Sequence, residues 1–315
     1  VHASRDRLTL AAFLGSVLMG GGNSIGIRLT ISDLPPFWGA TLRFGLAGLA
    51  LAIVVIAMRR SLPRGRQLLG AVLYGIFNFG LAFVFIYLGL RDAPASTAQV
   101  AMATVPLTTL LLAVAQRVEP FRLYGLLGSL IAGLGVAVLF ADRADFTAPI
   151  PSLLAILLGG ACMAEANVLA KRFPPGDPLA ANTVAMLCGA TLLLAATARS
   201  GETASLPRQT ETWLVLGYMV VFGSMGVFIL ALHVLSRWTA SAISYAFLLL
   251  PLVTVPEAAV LLHEPVKPIF VLASVLVFAG VYLGAFYRPR PSASPAGERR
   301  RGPAGPSAEA REPLG

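Results

Sequence analysis

The chain has 315 residues, 57% of them apolar and only 12% charged, with a formal net charge of +9. A mean hydropathy of +0.78 takes it out of the range of ordinary soluble domains, so the positive charge has to be placed on spans and loops before it is taken as a nucleic-acid footprint. Cys162 and Cys188 sit in apolar stretches without C-x-x-C spacing, and they read as small buried residues rather than a zinc or redox pair.

Arg5 and Arg7 precede a first apolar span, Leu8 to Ile27, which has no small-residue cleavage site and is followed by many more spans. It is expected to be a transmembrane helix and not a signal peptide. Further spans of about 20 residues, the length that crosses roughly 30 Å of hydrocarbon, are expected near Phe37 to Met58, Gln67 to Leu90, Ala95 to Gln116 and Phe121 to Ala141. A second set follows near Ser152 to Ala170, Leu179 to Ala198, Thr212 to Leu235, Ala240 to Leu262 and Pro268 to Tyr287. The fold class is therefore an all-α integral membrane protein of ten transmembrane helices, five in residues 1–148 and five in 149–288. Residues 289–315 are Pro, Gly, Ser, Ala and charge without periodicity, the composition of a disordered tail.

The two sets are copies. Laying Ala95 to Val136 over Ala240 to Val281 gives 13 identities in 42 positions, where composition alone would supply about 4. Among them are Pro106/Pro251, Thr109/Thr254, Glu119/Glu264 and Gly135/Gly280, and at an offset of 144 Asn23 falls on Asn167 and Asp33 on Asp177. Five helices is an odd number, so the second copy enters the bilayer from the opposite side and the halves are expected to be inverted-topology repeats. The basic residues test this count. With a cytoplasmic N-terminus, 17 of the 24 fall on the inner side and 6 on the outer, with Arg43 inside a span; both termini are then cytoplasmic by the positive-inside rule.

Several features on this frame carry a family resemblance: an Asn late in the first helix (GGGNSIGIR), an Arg in the second (ATLRF), Pro-Leu in the middle of the fourth (ATVPLTT), and Glu-Pro at the start of the fifth and before the tenth (HEP). Together with the closing helix VLASVLVFAGVYLGAF, they resemble the EamA-type drug/metabolite transporters, members of which export aromatic and other amino acids. The resemblance spans Leu8 to Tyr287 and implies a carrier of small metabolites, commonly an exporter, with a central cavity between the halves and a place in the cell inner membrane. One departure stands out. Where relatives often carry Trp after the small-residue run of the first helix, this chain has Gly20, Gly21 and Gly22.

Polar residues inside apolar spans are costly and mark function by default. Asn23, toward the outer end of the first helix, and its repeat partner Asn167, toward the inner end of the sixth, lie on opposite leaflets, where they either line two gates or bond a neighbouring helix. Asn78 and Gln99 are placed for a midplane site, and Tyr218 and Tyr245 for its walls, if these aromatics are not simply packed. Glu165 (ACMAEANVL) either finds a cation, takes up a coupling proton or faces a cytoplasmic vestibule; Glu257 raises the same alternatives nearer the outer end. Arg43 either snorkels to the outer surface or holds an internal carboxylate, as a structural pair or as a contact to substrate. Pro106 and Pro251 remove a backbone hydrogen bond at equivalent midpoints, as hinges or as static kinks. Gly22 to Gly26 and Gly280 to Gly284 have the GxxxG spacing of close helix contacts, expected here within the molecule.

Enzyme signals do not assemble. His263 and Glu264 begin like HExxH, but position 267 is Lys267, and neither a P-loop nor an intact G-x-G-x-x-G is present. The reading is a secondary transporter of small organic metabolites such as amino acids, with no cofactor, no metal and no nucleic-acid partner, and with protons as a candidate coupling ion. A membrane-embedded enzyme or lipid-handling protein using Glu165 and Glu257 is the alternative.

Overall fold

A computed structural model of the chain describes residues 2–142, 148–261, 263 and 265–287, with side chains from residue 7 on. The expected tail at 289–315, and Glu264 of the second Glu-Pro pair, lie outside the described residues. Ten helices are long and apolar enough to cross a membrane: α1 (Arg7–Thr30), α2 (Pro36–Ala57), α3 (Arg66–Gly89), α4 (Ala95–Ala115), α5 (Leu123–Phe140), α6 (Ile150–Arg172), α7 (Pro178–Ser200), α8 (Thr210–Leu235), α9 (Ala240–Leu261) and α10 (Ile269–Phe286). Each expected span coincides with one of them to within about three residues, the usual scatter of helix ends. No strand occurs among the described residues.

Links of a few residues make successive helices antiparallel, so two ends of the bundle can be distinguished: the near end, where α1 starts and α10 stops, and the far end. The helices pair across the halves. α2 lies along α7, α5 along α10, α1 against α8 and α9, and α6 against α3 and α4. Their outward faces carry exposed apolar side chains at helical spacing, such as Leu130 and Leu134 on α5 and Val271, Val275 and Phe278 on α10, the surface that lipid solvates in place of water.

Inside, the α2, α3 and α7 side is held by aromatic edges, with Phe44 to Phe79 at 4.9 Å and Phe79 to Phe228 at 4.6 Å between centroids. The α5–α10 side is held by backbone proximity. A Cβ added at Gly280 would fall 2.6 Å from both the Ala132 Cβ and the Gly128 oxygen, so the two helices meet on their glycines. The GxxxG of the tenth helix thus serves contact within the molecule, as does the one in α1, where Gly26 faces Met219 of α8.

Carboxylates outside the apolar layer fasten helix ends. Asp177 caps α7 through the amides of Leu179 and Ala180 at 2.9 and 3.2 Å. Glu202 accepts from the amides of Phe37 and Trp38 at the start of α2, at 3.3 and 2.9 Å. Asp33, after α1, accepts from the amides of Arg208 and Gln209 just before α8 at 2.9 and 3.1 Å; the Gln209 amide bond, ahead of the smaller contributions of Thr212 and Arg208, holds its carboxyl below the usual aspartate range. At the near end Glu119, only 7% exposed, accepts from the amides of Ala240 and Ser241 and from the Ser241 hydroxyl at the start of α9. Glu119 of the first Glu-Pro pair is therefore a helix clasp, a role its sequence alone did not suggest.

Candidate functional site

Five helices are not regular; α10 closes in a π-helical turn at Tyr282–Phe286, and the irregularities of the other four set the site. α3 passes through a π-helical turn at Ile76–Leu81 and α8 through one at Val221–Gly226, positions 145 residues apart. α4 is interrupted after Met102 and resumes at Val105, with Pro106 in its first turn. α9 is interrupted at Tyr245, with Pro251 inside the longer part, Ala246–Leu261. A π turn shifts the hydrogen-bond register, so carbonyls beside it become available to side chains. At Gly223 this happens: its carbonyl oxygen accepts from the Asn23 amide at 3.0 Å and from Arg43 Nη2 at 2.8 Å.

Arg43 is the centre of the arrangement. Eight residues into α2, it is 3% exposed, and its Nε donates to the Ser224 hydroxyl at 2.8 Å. Its guanidinium lies 4.9 Å from the Phe44 ring centroid. The sequence offered snorkelling or pairing with a carboxylate; the structure shows neither. The side chain is too deeply enclosed by α8 to reach the surface, and among the described residues no carboxylate pairs with it. Next to it Tyr218 donates to the Met19 carbonyl at 3.1 Å and stacks on Phe222.

Two cavities open at opposite ends. The far-end cavity, about 510 Å³, lies between α1, α4, α5, α9 and α10, and its polar lining includes Ser24, Arg28, Ser96, Gln99 and Thr254. Gln99 donates to the Ser24 hydroxyl at 3.3 Å and Thr254 to the Gly21 carbonyl at 2.8 Å. At its mouth Lys267 pairs with Asp142. The near-end cavity, about 370 Å³, lies between the start of α3, the α6–α7 link and the end of α8, and is lined by Gln67, Tyr74, Phe173, His233 and Arg237 among others. Either volume admits a small organic solute.

The residues singled out in the sequence fall into four places. Asn23 and Tyr218 meet around Arg43, and Gln99 stands on the far-end cavity nearby. Glu165 is at the near end, where Gln116 donates to it at 2.6 Å and Arg172 donates to Gln116 at 3.4 Å; Asn167, two residues further along the same helix and so on another face of it, is half-buried. Asn78 is buried in the π turn of α3 with its amide nitrogen unpartnered. Tyr245 is 1% exposed and donates to the Gly125 carbonyl at 2.7 Å beside Ser129, so it braces α5 against α9 and does not wall a cavity in this conformation. Sequence reasoning passed over Gly223, Ser224 and Thr254. The small-residue cluster VFGSMG within an apolar span was the available signal for the first two, but a π turn has no sequence pattern of its own.

The profile of the EamA-like transporter family matches residues 7–141 and, a second time, residues 150–285. Over 287 residues the chain is 26% identical to the uncharacterized inner membrane transporter YedA of Escherichia coli (strain K12), covering 86% of this chain and 91% of that one. It is 22% identical over 289 residues to the uncharacterized transporter YoaV of Bacillus subtilis (strain 168), at 88% and 96% coverage. A solved crystal structure shares the fold with a TM-score of 0.74 and 16% identity, over 88% of this chain and 97% of its own. The chain belongs to the EamA-like transporter family.

Proposed function

We propose that this member of a transporter family is a secondary carrier that moves small organic metabolites such as amino acids by alternating access, with net export as its direction. The observation that carries the proposal is the pair of cavities that open at opposite ends of one bundle. A channel would need one continuous path; a carrier needs two vestibules and a closed layer between them.

The inverted-repeat arrangement is part of the same reading. It is supported by the double family match, by π turns at equivalent positions of α3 and α8, and by the reciprocal pairing of α1 with α8 and α9 and of α6 with α3 and α4. Pro106 and Pro251 are proposed as the hinges, because each lies within a few residues of an interruption on equivalent helices. The near end is assigned to the cytoplasm by its excess of basic residues, and the inner membrane by analogy with the E. coli relative. Asn23, Gln99 and Tyr218 are proposed substrate-facing groups, with Asn78, Glu165, Asn167 and Tyr245 reached in other conformations of the cycle.

The test is uptake of labelled amino acids, monoamines, monocarboxylates and neutral metabolites into proteoliposomes holding the purified chain, with and without a pH gradient. Saturable movement of one solute class establishes the carrier, and its gradient dependence establishes proton coupling. Intact, leak-free vesicles that move none of them overturn the proposal.

A further inference from the structure

The near-end cavity is lined by basic side chains and, among the described residues, by no acidic one. Arg237 and His233 come from the end of α8, Gln67 and Tyr74 from α3, and Phe173 from the α6–α7 link. The three stretches of chain that form it, 63–74, 170–181 and 232–237, hold Arg64, Arg66, Lys171, Arg172 and Arg237 against a single acid, Asp177. That acid is already engaged. Its Oδ1 accepts from the amides of Leu179 and Ala180, and its Oδ2 from Arg60 at 3.3 Å. Among the described residues neither Arg237 nor His233 pairs with a carboxylate.

Its donors are spare. Arg237 Nη1 reaches the two ring nitrogens of His233 at 3.0 and 2.9 Å and the His233 carbonyl oxygen at 3.4 Å. The Nε and Nη2 of the same side chain, which carry three of the five N–H groups of a guanidinium, make no hydrogen bond among the described residues. Gln67 spends one amide hydrogen on the Pro175 carbonyl at 3.1 Å and keeps the other. Tyr74 is 4% exposed, with its ring edge-on to Phe79 at 5.8 Å, and its hydroxyl has no partner among the described residues. A buried hydroxyl in that state is unfavourable. Tyr74 follows Gln67 by seven residues, about 10 Å along α3, so unused donors run from the exposed Arg237 at the mouth into the bundle.

The self-match of the chain supplies an internal comparison. At offsets of 144 to 146, Pro178, Tyr74 and His233 correspond to Leu34, Met219 and Tyr87, and those three line a cavity of only about 20 Å³ at the far end. Arg91, the counterpart of Arg237, lies there 5.7 Å from the centroid of the Phe37 ring. One position of the repeat is shut, with its arginine laid on an aromatic ring; the other is open, with its arginine on the cavity wall. A tetrahedral anion accepts hydrogen bonds from several directions at once, and guanidinium, imidazole, amide and phenol groups on two helices supply them. We propose that the near-end cavity is a binding site for a phosphate group, with the Arg237 fork on the phosphate oxygens at the mouth and His233, Gln67 and Tyr74 donating from within. The site is separate from the carrier reading, since none of the groups proposed to face substrate lines this cavity. Two sources share this chemistry, a soluble phosphomonoester and the headgroup of an anionic phospholipid in the adjoining leaflet.

The probes are inorganic phosphate and glycerol phosphate added to the full chain in detergent, with chloride at equal ionic strength as the blank, and nanodiscs of phosphatidylglycerol against phosphatidylcholine. Binding is read as thermal stabilisation together with titration calorimetry, neither of which depends on transport. Stabilisation by the soluble phosphates assigns the site to a solute, and stabilisation by phosphatidylglycerol alone assigns it to a headgroup; both support the site. Arg237→Gln is expected to weaken binding about 10- to 100-fold, the loss of charge-assisted bonds, and Tyr74→Phe about 2- to 10-fold, the loss of a neutral one. Arg237→Lys keeps the charge without the fork and should fall between the parent and Arg237→Gln. Arg91→Gln removes the corresponding cation at the far end and should leave binding unchanged. The proposal is overturned if no phosphate probe stabilises the protein, if Arg91→Gln loses as much as Arg237→Gln, or if Arg237→Gln binds as the parent does; should Arg237→Gln fail to fold, parental binding by Tyr74→Phe overturns it instead. Saturable flux without phosphate binding would leave the carrier and remove this site; phosphate binding by a chain that moves no solute would do the reverse.

Discussion

Replacing Glu119 by Ala removes a carboxylate that serves three donors at once. Its oxygens accept from two backbone amides and one hydroxyl at the start of α9, and the side chain is only 7% exposed. The Thr239 hydroxyl still accepts from the Ala242 amide at 3.1 Å, so one capping bond survives, but the amides of Ala240 and Ser241 lose their side-chain partner. A hydrogen bond to a charged group contributes about 1.5–3 kcal/mol, and a buried donor left unpaired costs about 1–3 kcal/mol. These quantities overlap and do not add, which gives an expected loss of about 3–4 kcal/mol for Glu119→Ala. Glu119→Gln keeps one acceptor and the shape, and should lose about half as much. The assay is reversible denaturant unfolding in mixed micelles, run as a double-mutant cycle with Ser241→Ala. A coupling of about 1 kcal/mol or more between residues 119 and 241 is expected. A loss below about 0.5 kcal/mol for Glu119→Ala, the range of an ordinary surface change, would refute the view that this carboxylate fastens α4–α5 to α9.

Three further outcomes follow from the same geometry. Gly280→Val places its side chain against the Ala132 and Gly128 backbones and should cost at least the roughly 1–3 kcal/mol of an overpacked contact, measured by unfolding, while Gly201→Ala, with open space around its Cβ but φ of 73°, should lose about 1 kcal/mol or less through backbone strain alone. If the interruptions of α4 and α9 are hinges, replacing Pro106 and Pro251 together with Ala should slow flux more than it weakens substrate binding; an equal loss of both would make the prolines structural. If Glu165 carries a coupling proton, Glu165→Gln should leave exchange intact and abolish the pH dependence of flux, whereas unchanged pH dependence would confine Glu165 to its bond with Gln116.

What the sequence determined by itself is the part governed by solvent transfer. Ten runs of apolar residues long enough to cross the hydrocarbon, and a self-match at an offset of 145 residues, were visible without coordinates, because in lipid each span must satisfy its own backbone and so becomes a helix locally. Even the expectation that both GxxxG pairs serve internal contact followed from their position in a ten-helix chain. Side-chain partnership was not legible, because it depends on which helix faces which. Arg43 could be read as a snorkelling residue, half of an ion pair or a substrate contact, and its partners Gly223 and Ser224 could not be read at all, because they are presented to it by the π turn of α8. Tyr245 could be read as a cavity wall or as a packed aromatic, and its bond to the Gly125 carbonyl depends on α5 lying within reach. Glu119 looked like a family mark and is a clasp on a helix 120 residues away. A span's place in the membrane is set by its own composition; the role of each polar group inside it is set by its neighbours, and those are chosen by the packing of the whole bundle.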